Sequence, residues 1–398
     1  MLQVYEYTAA DPRGALVTGR ERAENESHLD SLLEVKGLIL TNARSITADR
    51  STRRTKLKRA ELITITTQLS TIVGAGVPIV EGLEGIGKRL GTESSQRLIG
   101  EIVRGLSAGE SLSQTLDPYD RAFPDVYRAS IRAGEASGAL DLVLARLAKY
   151  LEWARTMRST TTQALIYPGI LLGAIFGLVL LLLYFVLPKI LTIFEAAGTE
   201  LPANTRFVLA LSGFLRGNAL VLGLGAVAAL VGFRMLWKRR RGRAWVHGLM
   251  LRVPLLGEVA RQIATSKFAS TASTLQAAGC DVFGVLEIAS ATCGNEAMSM
   301  AFERSVERVR RGEAISEAMA QEPLIDTLLI QMIGVGERSG SLDRSLEKLV
   351  EYYDDEVPRL VKRFLSLLEP LLLLGAGVVV GFILLAAIMP IFQLYEQM

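Results

Sequence analysis

Histidine and cysteine are nearly absent. The 398-residue chain has two of each, His28, His247, Cys280 and Cys293. That count excludes an imidazole-rich metal centre. The cysteines have no CxxC spacing, so the chain encodes neither a disulfide framework nor a zinc site, and both read as small core residues in a reduced compartment. No GxxxxGK[ST] string occurs, so phosphoryl chemistry falls to a partner. Neither histidine lies near a nucleophile-like turn, which leaves no Ser/His/Asp arrangement. A secretory signal is also missing: residues 1–8 alternate and then meet Asp11-Pro12-Arg13. Membrane insertion is therefore expected from internal segments.

Charge is missing from three long stretches, and these are the most informative part of the sequence. Half of the residues are hydrophobic and the mean hydropathy is +0.31, an excess that water-soluble domains rarely carry. Residues 164–187 form an uncharged run long enough, at about 1.5 Å per residue, to cross a hydrocarbon core of about 30 Å. Residues 217–237 supply a less clean second span, with Arg234 placed to snorkel toward headgroups; a buried soluble helix is its bland alternative. Residues 367–390 supply the third, uncharged from Leu371 to Met389. Pro188 and Pro390 read as the ends of the first and third spans. No carboxylate lies in the uncharged cores of the spans, which argues against a proton or ion relay.

One turn is written twice. Gly134-Glu135-Ala136-Ser137-Gly138-Ala139-Leu140-Asp141 returns 202 positions later as Gly336-Glu337-Arg338-Ser339-Gly340-Ser341-Leu342-Asp343. Earlier landmarks repeat as well, Gly76 with Gly279 and Gly109 with Gly312. A period of this size means two copies of a domain. Breakers at Gly74, Gly76, Pro78, Gly91, Gly109, Pro118, Pro124 and the 134–138 turn cut each copy into about six short helices. The reading is a mainly α integral membrane protein with two homologous cytoplasmic six-helix bundles, 60–163 and 261–366, and three transmembrane helices. Residues 1–46 form a small α+β unit: a hairpin, a helix from Ser27 to Val35 and a short strand at 38–40. A basic linker, 47–59, follows it; lipid headgroups suit this run better than nucleic acid, since no aromatics interleave its charges. A second basic cytoplasmic linker, 238–260, follows the second span.

Charge bias sets the expected topology. Arg155 and Arg158 precede the first span, Lys238-Arg239-Arg240-Arg241 and Arg243 follow the second, and Arg359, Lys362 and Arg363 precede the third. The 188–216 loop carries few basic residues, and the 391–398 tail carries none. The positive-inside rule then puts both bundles and the N-terminus in the cytoplasm and the C-terminus outside.

The repeated turn admits three readings. In the first, glycines end one helix in a left-handed conformation, Asp141 and Asp343 cap or start the next, and Leu140 and Leu342 plug the bundle. In the second, Glu135 and Glu337 line a surface that partners grip. In the third, Glu135 and Asp141 hold a hard cation such as calcium. Within the spans, Gly169, Gly173 and Gly177, like Gly377 and Gly381, sit four apart and permit close helix packing in lipid; ordinary glycine enrichment of membrane helices is the alternative.

Taken together, the two bundles, the three spans, the doubled turn and the Tyr167-Pro168…Pro188 span resemble the F-type inner-membrane platform proteins of type II secretion. The platform proteins of type IV pilus assembly are similar. The second copy departs at Glu369-Pro370, where the first has Tyr167-Pro168, so the halves can have different partners. The resemblance implies a non-enzymatic bacterial inner-membrane protein, periplasmic at 188–216 and at its C-terminus, without a cofactor. Its implied partners are a cytoplasmic secretion ATPase, other inner-membrane components, pseudopilins or pilins, membrane lipids and further copies of itself, with no nucleic acid. A transporter or sensor with duplicated cytoplasmic domains is the rival class, and a membrane-bound enzyme the third.

Overall fold

The structure, a computed structural model, describes residues 3–10, 16–23, 26–45, 56–186, 206, 210, 213–214 and 217–396. It forms two compact units, Met1–Lys149 and Tyr150–Met398. The expected 188–216 loop, with Pro188, lies almost wholly outside the described residues. So do most of the 47–59 linker and the Pro12/Gly14 turn.

The first unit begins with strands β1 (Gln3–Ala10) and β2 (Leu16–Ala23), helix α1 (Glu26–Val35) and strand β3 (Ile39–Ser45). The sheet order is β2-β1-β3, antiparallel throughout, with Gln3 opposite Ala23 and a bulge in the β1–β3 pairing between Thr8 and Ala9. Alternation aims Tyr7 and Ala9 at one face, where Leu29 and Leu33 of α1 cover them. The third strand is longer than the three residues expected at 38–40.

The first bundle then follows as α2 (Arg59–Gly74), α3 (Ile79–Gly87), α4 (Glu93–Ser107), α5 (Leu112–Leu116), α6 (Asp125–Ser137) and α7 (Leu140–Leu181), the last running into a π-helical turn, Leu182–Val186. Its core is aliphatic, with Ile65, Leu98, Ile99, Ile102, Ile131 and Leu144 fully buried. The second unit holds α8 (Ala219–Lys238), α9 (Arg240–Arg252), α10 (Leu256–Ala277), α11 (Val282–Thr292), α12 (Glu296–Arg310), α13 (Ile315–Ala320), α14 (Thr327–Ser339) and α15 (Leu342–Glu396). Phe268 and Phe302 stack in its core with centroids 4.0 Å apart. Gly76 and Gly279, and Gly109 and Gly312, all have positive φ, so repeat-related turns share a backbone conformation.

Each bundle runs into its apolar segment without a break: α7 is one helix of 42 residues and α15 one of 55. Two expectations need correction. Pro390 does not end its helix: α15 passes through Pro358, Pro370 and Pro390, just as α7 passes through Pro168. A proline removes one helical hydrogen bond, whereas a full break in an apolar segment would strand several backbone groups. The second correction concerns 238–260, read as a basic linker, which is helix α9 and the start of α10. Two helices, Leu140–Leu181 and Leu342–Leu385, are long and apolar enough to cross a membrane by length and composition. Helix α8 spans 20 residues, with Val221, Leu224, Val227 and Leu230 exposed.

The bundles share a frame but differ in polar chemistry. In the first, the Tyr119 hydroxyl donates to Glu101. The positions 203 residues later hold Glu322 and Arg304, and there Arg304 Nε donates to Glu322 at 3.0 Å, joined by Arg308 Nη1 at 3.0 Å. Burial pushes the Glu322 carboxyl up, but hydrogen bonds and charge from Arg304 and Arg308 outweigh it and hold the group below the usual carboxylate range. A depressed native pKa stabilises the fold above the unfolded value of about 4.3 and is lost as pH falls through it. The thermal midpoint of the second unit should therefore drop as pH falls below that value. Glu322→Gln should lower the midpoint at pH 7 and flatten the acid slope, as read by calorimetry on the detergent-solubilised chain; an unchanged slope would refute the assignment.

Candidate functional site: the repeated turn and the helices it launches

Each position of the doubled turn has a separate job. Helix α6 ends at Gly138, left-handed at φ 70°, and the Ala139 amide donates to Gly134 O at 3.0 Å while the Gly138 amide donates to Glu135 O at 3.2 Å. This Schellman pattern closes the orphan carbonyls of the helix end. Gly340 repeats it at φ 66°, with the Ser341 amide on Gly336 O at 2.9 Å. Gly134 is buried because the next helix passes over it: a Cβ there would lie 2.9 Å from Val143 Cγ2. At Gly336 the same atom would meet Leu342 Cα at 2.9 Å.

The glutamate turns inward. Glu135 accepts the Leu112 and Ser113 amides, the latter at 2.9 Å, and so caps α5 from a helix that follows it in sequence. Glu337 does the same for α13, taking the Ile315 amide at 2.7 Å, the Ser316 amide at 3.2 Å and the Ser316 hydroxyl at 2.9 Å. A carboxylate over the unpaired amides of a helix start gains charge-assisted hydrogen bonds and the favourable end of the helix dipole. Both carboxylates are thereby engaged within their own bundles, which departs from the partner-surface reading. For the calcium reading, both Glu135 oxygens face amide donors. Asp141 and Asp343 lie in the first turns of α7 and α15 rather than at their caps. Leu140 and Leu342 are only half-buried; Val143, Leu144 and Leu147, and in the second copy Leu346 and Leu349, fill the core.

The helices launched by these turns meet farther along. Trp153 Nε1 donates to Asp354, and the Tyr167 hydroxyl donates to Glu369 Oε1 at 3.0 Å. The departure at Glu369 is thus half of a pair whose other member is the repeat-related tyrosine, 202 positions earlier. The glycine faces make no comparable contact. Built Cβ atoms on Gly169, Gly173, Gly177, Gly377 and Gly381 meet nothing within 4 Å among the described residues.

The 238–260 segment is anchored through α9. Arg240 bonds Glu296 and Glu303, and Arg243 Nη2 reaches Glu296 at 3.1 Å. His247 Nδ1 accepts the Glu296 amide at 2.9 Å, beside Asn295, whose side chain accepts the Ala297 amide at 3.1 Å; together they cap α12. Burial pushes His247 below the ordinary histidine range; Glu296 opposes this and Arg243 adds to it. A neutral imidazole is what the acceptor role requires.

Comparison with known proteins matches the profile described as "Type II secretion system (T2SS), protein F" to residues 65–188 and 268–390, the two halves of the duplication. The chain belongs to that family. The family is the inner-membrane platform of secretion and pilus systems. The chain is 30% identical over 402 residues to the type II secretion system protein F of Pseudomonas aeruginosa, covering 99% of each. It is also 30% identical to the type IV pilus assembly protein PilC of Thermus thermophilus, covering 99% of this chain and 98% of that protein. The type II secretion system protein F of Vibrio cholerae matches at 30% over both full lengths.

Removing either turn carboxylate strands two amides at a helix start, which costs about 1.5–3 kcal/mol where the hydrogen bonds are to a charged group. Glu135→Ala and Glu337→Ala should each destabilise the bundle they belong to by about that amount. Denaturant midpoints of the purified variants check this; two unshifted midpoints would return both glutamates to a surface role.

Proposed function

We propose that the chain is the inner-membrane platform of a type II secretion system, coupling a cytoplasmic secretion ATPase to pseudopilus assembly and so to export of folded proteins. Two relatives named type II secretion system protein F support this reading, each matched over nearly its full length. The observation that carries the mechanism is helix continuity: each bundle's last helix becomes its apolar segment without a break. Force applied to a bundle by a motor then reaches the bilayer through an uninterrupted backbone. The turn glutamate braces the start of each lever by tying α6 to α5 and α14 to α13.

In this proposal α7, α8 and α15 all cross the membrane, with both bundles in the cytoplasm and the C-terminus in the periplasm. The basic residues at 238–243 and at 359–363 support that orientation. The open glycine faces are free for pilin-type helices or further copies of the chain. The platform performs no catalysis and needs no cofactor. Type IV pilus assembly is the second reading, supported by the equal identity to PilC of Thermus thermophilus.

Softening the lever tests the coupling. Ser159 and Thr162 are exposed on α7 between bundle and apolar segment. Glycine at both costs about 0.5 kcal/mol each in helix propensity relative to the residue replaced. The double variant should keep normal levels and membrane insertion but lose most export, or most piliation, when it replaces the wild-type gene. Full function in that variant would sink the lever mechanism, and the assay that responds decides between secretion and pilus.

A further inference from the structure

From 217 to 257 the chain contains no Asp or Glu and seven basic residues. Arg240 and Arg243 are neutralised by Glu296 and Glu303. Arg234, Lys238, Arg239, Arg241 and Arg252 are exposed and have no ion pair among the described residues.

Helix α9 is inverted relative to a water-facing helix. Its inner side meets α12 through Arg243 and His247, while Leu251 is buried. Its outer stripe runs Arg241, Trp245, Leu249, Arg252 at helical spacing, with Trp245 66% and Leu249 51% exposed. The apolar surface continues beyond the helix through Val253 and Leu255, both exposed. Leu255 is the one non-glycine residue with positive φ among the described residues, at 65°, a conformation unfavourable for a bulky side chain. Gly257 fixes this corner, because a Cβ there would meet Leu251 O at 2.2 Å. The turn thus holds a leucine outward against its own backbone preference.

The stripe joins an apolar surface already described. Helix α8 ends at Lys238, and α9 begins at Arg240 after a single extended residue, with Trp237 packed edge-on against His247 at 5.7 Å. Tryptophan and leucine flanked by unopposed arginines are the composition of a helix lying in a headgroup layer. We propose that α9 is an interfacial clamp on an anionic bilayer. Trp245 and Leu249 enter the acyl boundary, Arg241 and Arg252 contact lipid phosphates, and the ion pairs to Glu296 and Glu303 hold the second bundle to the membrane surface through α12. This rests on the reading that α8 crosses the bilayer.

The test uses the full chain in nanodiscs of phosphatidylcholine with or without phosphatidylglycerol. Cys280→Ser removes the more accessible thiol; Cys293 stays in place, buried and with its thiol pushed up to about 11. Spin labels on Leu249→Cys or Leu224→Cys are probed with oxygen and with a water-soluble nickel chelate. The clamp predicts that oxygen relaxes both labels more than nickel does, with Leu249→Cys the shallower. Adding Arg241→Glu and Arg252→Glu should reverse the preference at Leu249→Cys only in discs with phosphatidylglycerol, and leave the thermal transition unchanged. A nickel-accessible Leu249→Cys beside an oxygen-accessible Leu224→Cys overturns the clamp and leaves the span intact. A Leu249→Cys label shielded from both reagents assigns the stripe to a protein partner and overturns the lipid assignment. A nickel-accessible Leu224→Cys removes the span and the clamp together. A label unmoved by the charge reversals overturns the role of the two arginines.

Discussion

A helix that leaves water for hydrocarbon must keep its backbone hydrogen bonds, because no water remains to replace them. That constraint decides where this chain turns. The described changes of direction fall in the N-terminal unit, in the bundles and at the two ends of α9, all outside the long helices. From Leu140 to Leu181 and from Leu342 to Glu396 there is none. Four prolines lie in those helices, and each is tolerated at the loss of a single bond. The turn before each long helix is correspondingly over-determined, with a glycine packed under the next helix, a second glycine in the left-handed region and a glutamate tied to a helix start.

Duplication kept what geometry demands and released the rest. The left-handed glycines recur, since no other residue adopts that conformation freely. The cap of the short helix recurs in function with altered parts. In α5, Ser111 and Gln114 form a capping box beneath Glu135, whereas α13 has Ala314 at that position and its Ser316 hydroxyl binds Glu337 instead. The Glu101–Tyr119 and Arg304–Glu322 pairs occupy one place in the frame with a neutral donor in one bundle and a charged one in the other.

Much of this was legible in the sequence. Helix ends inside the bundles follow glycine, proline and capping residues, which act locally, and the duplication is visible as repeated text. What Glu135 does was not legible, because its amide partners lie 22 and 23 residues earlier and are found only by packing. The signal that could have found it is that the glutamate and the start of the short helix recur together at nearly the same offset. Prolines misled at the end of the third span, since proline reads as a stop in water and as a single missing bond in a continuous apolar helix. The segment after the second span read as a linker because its basic residues suggest solvent, while Glu296 and Glu303 lie more than fifty residues away.

The contact between Tyr167 and Glu369 carries a geometric consequence. Two residues at equivalent places in a duplicated chain touch each other here, as identical residues meet at the axis of an isologous dimer. In a dimer of single-copy chains that place would hold tyrosine against tyrosine or carboxylate against carboxylate, the latter repulsive. Joining the copies in one polypeptide breaks this identity and permits a donor on one side and an acceptor on the other. The chain is in this respect a dimer made permanently asymmetric, with a unique left and right helix where a symmetric assembly would have two of the same.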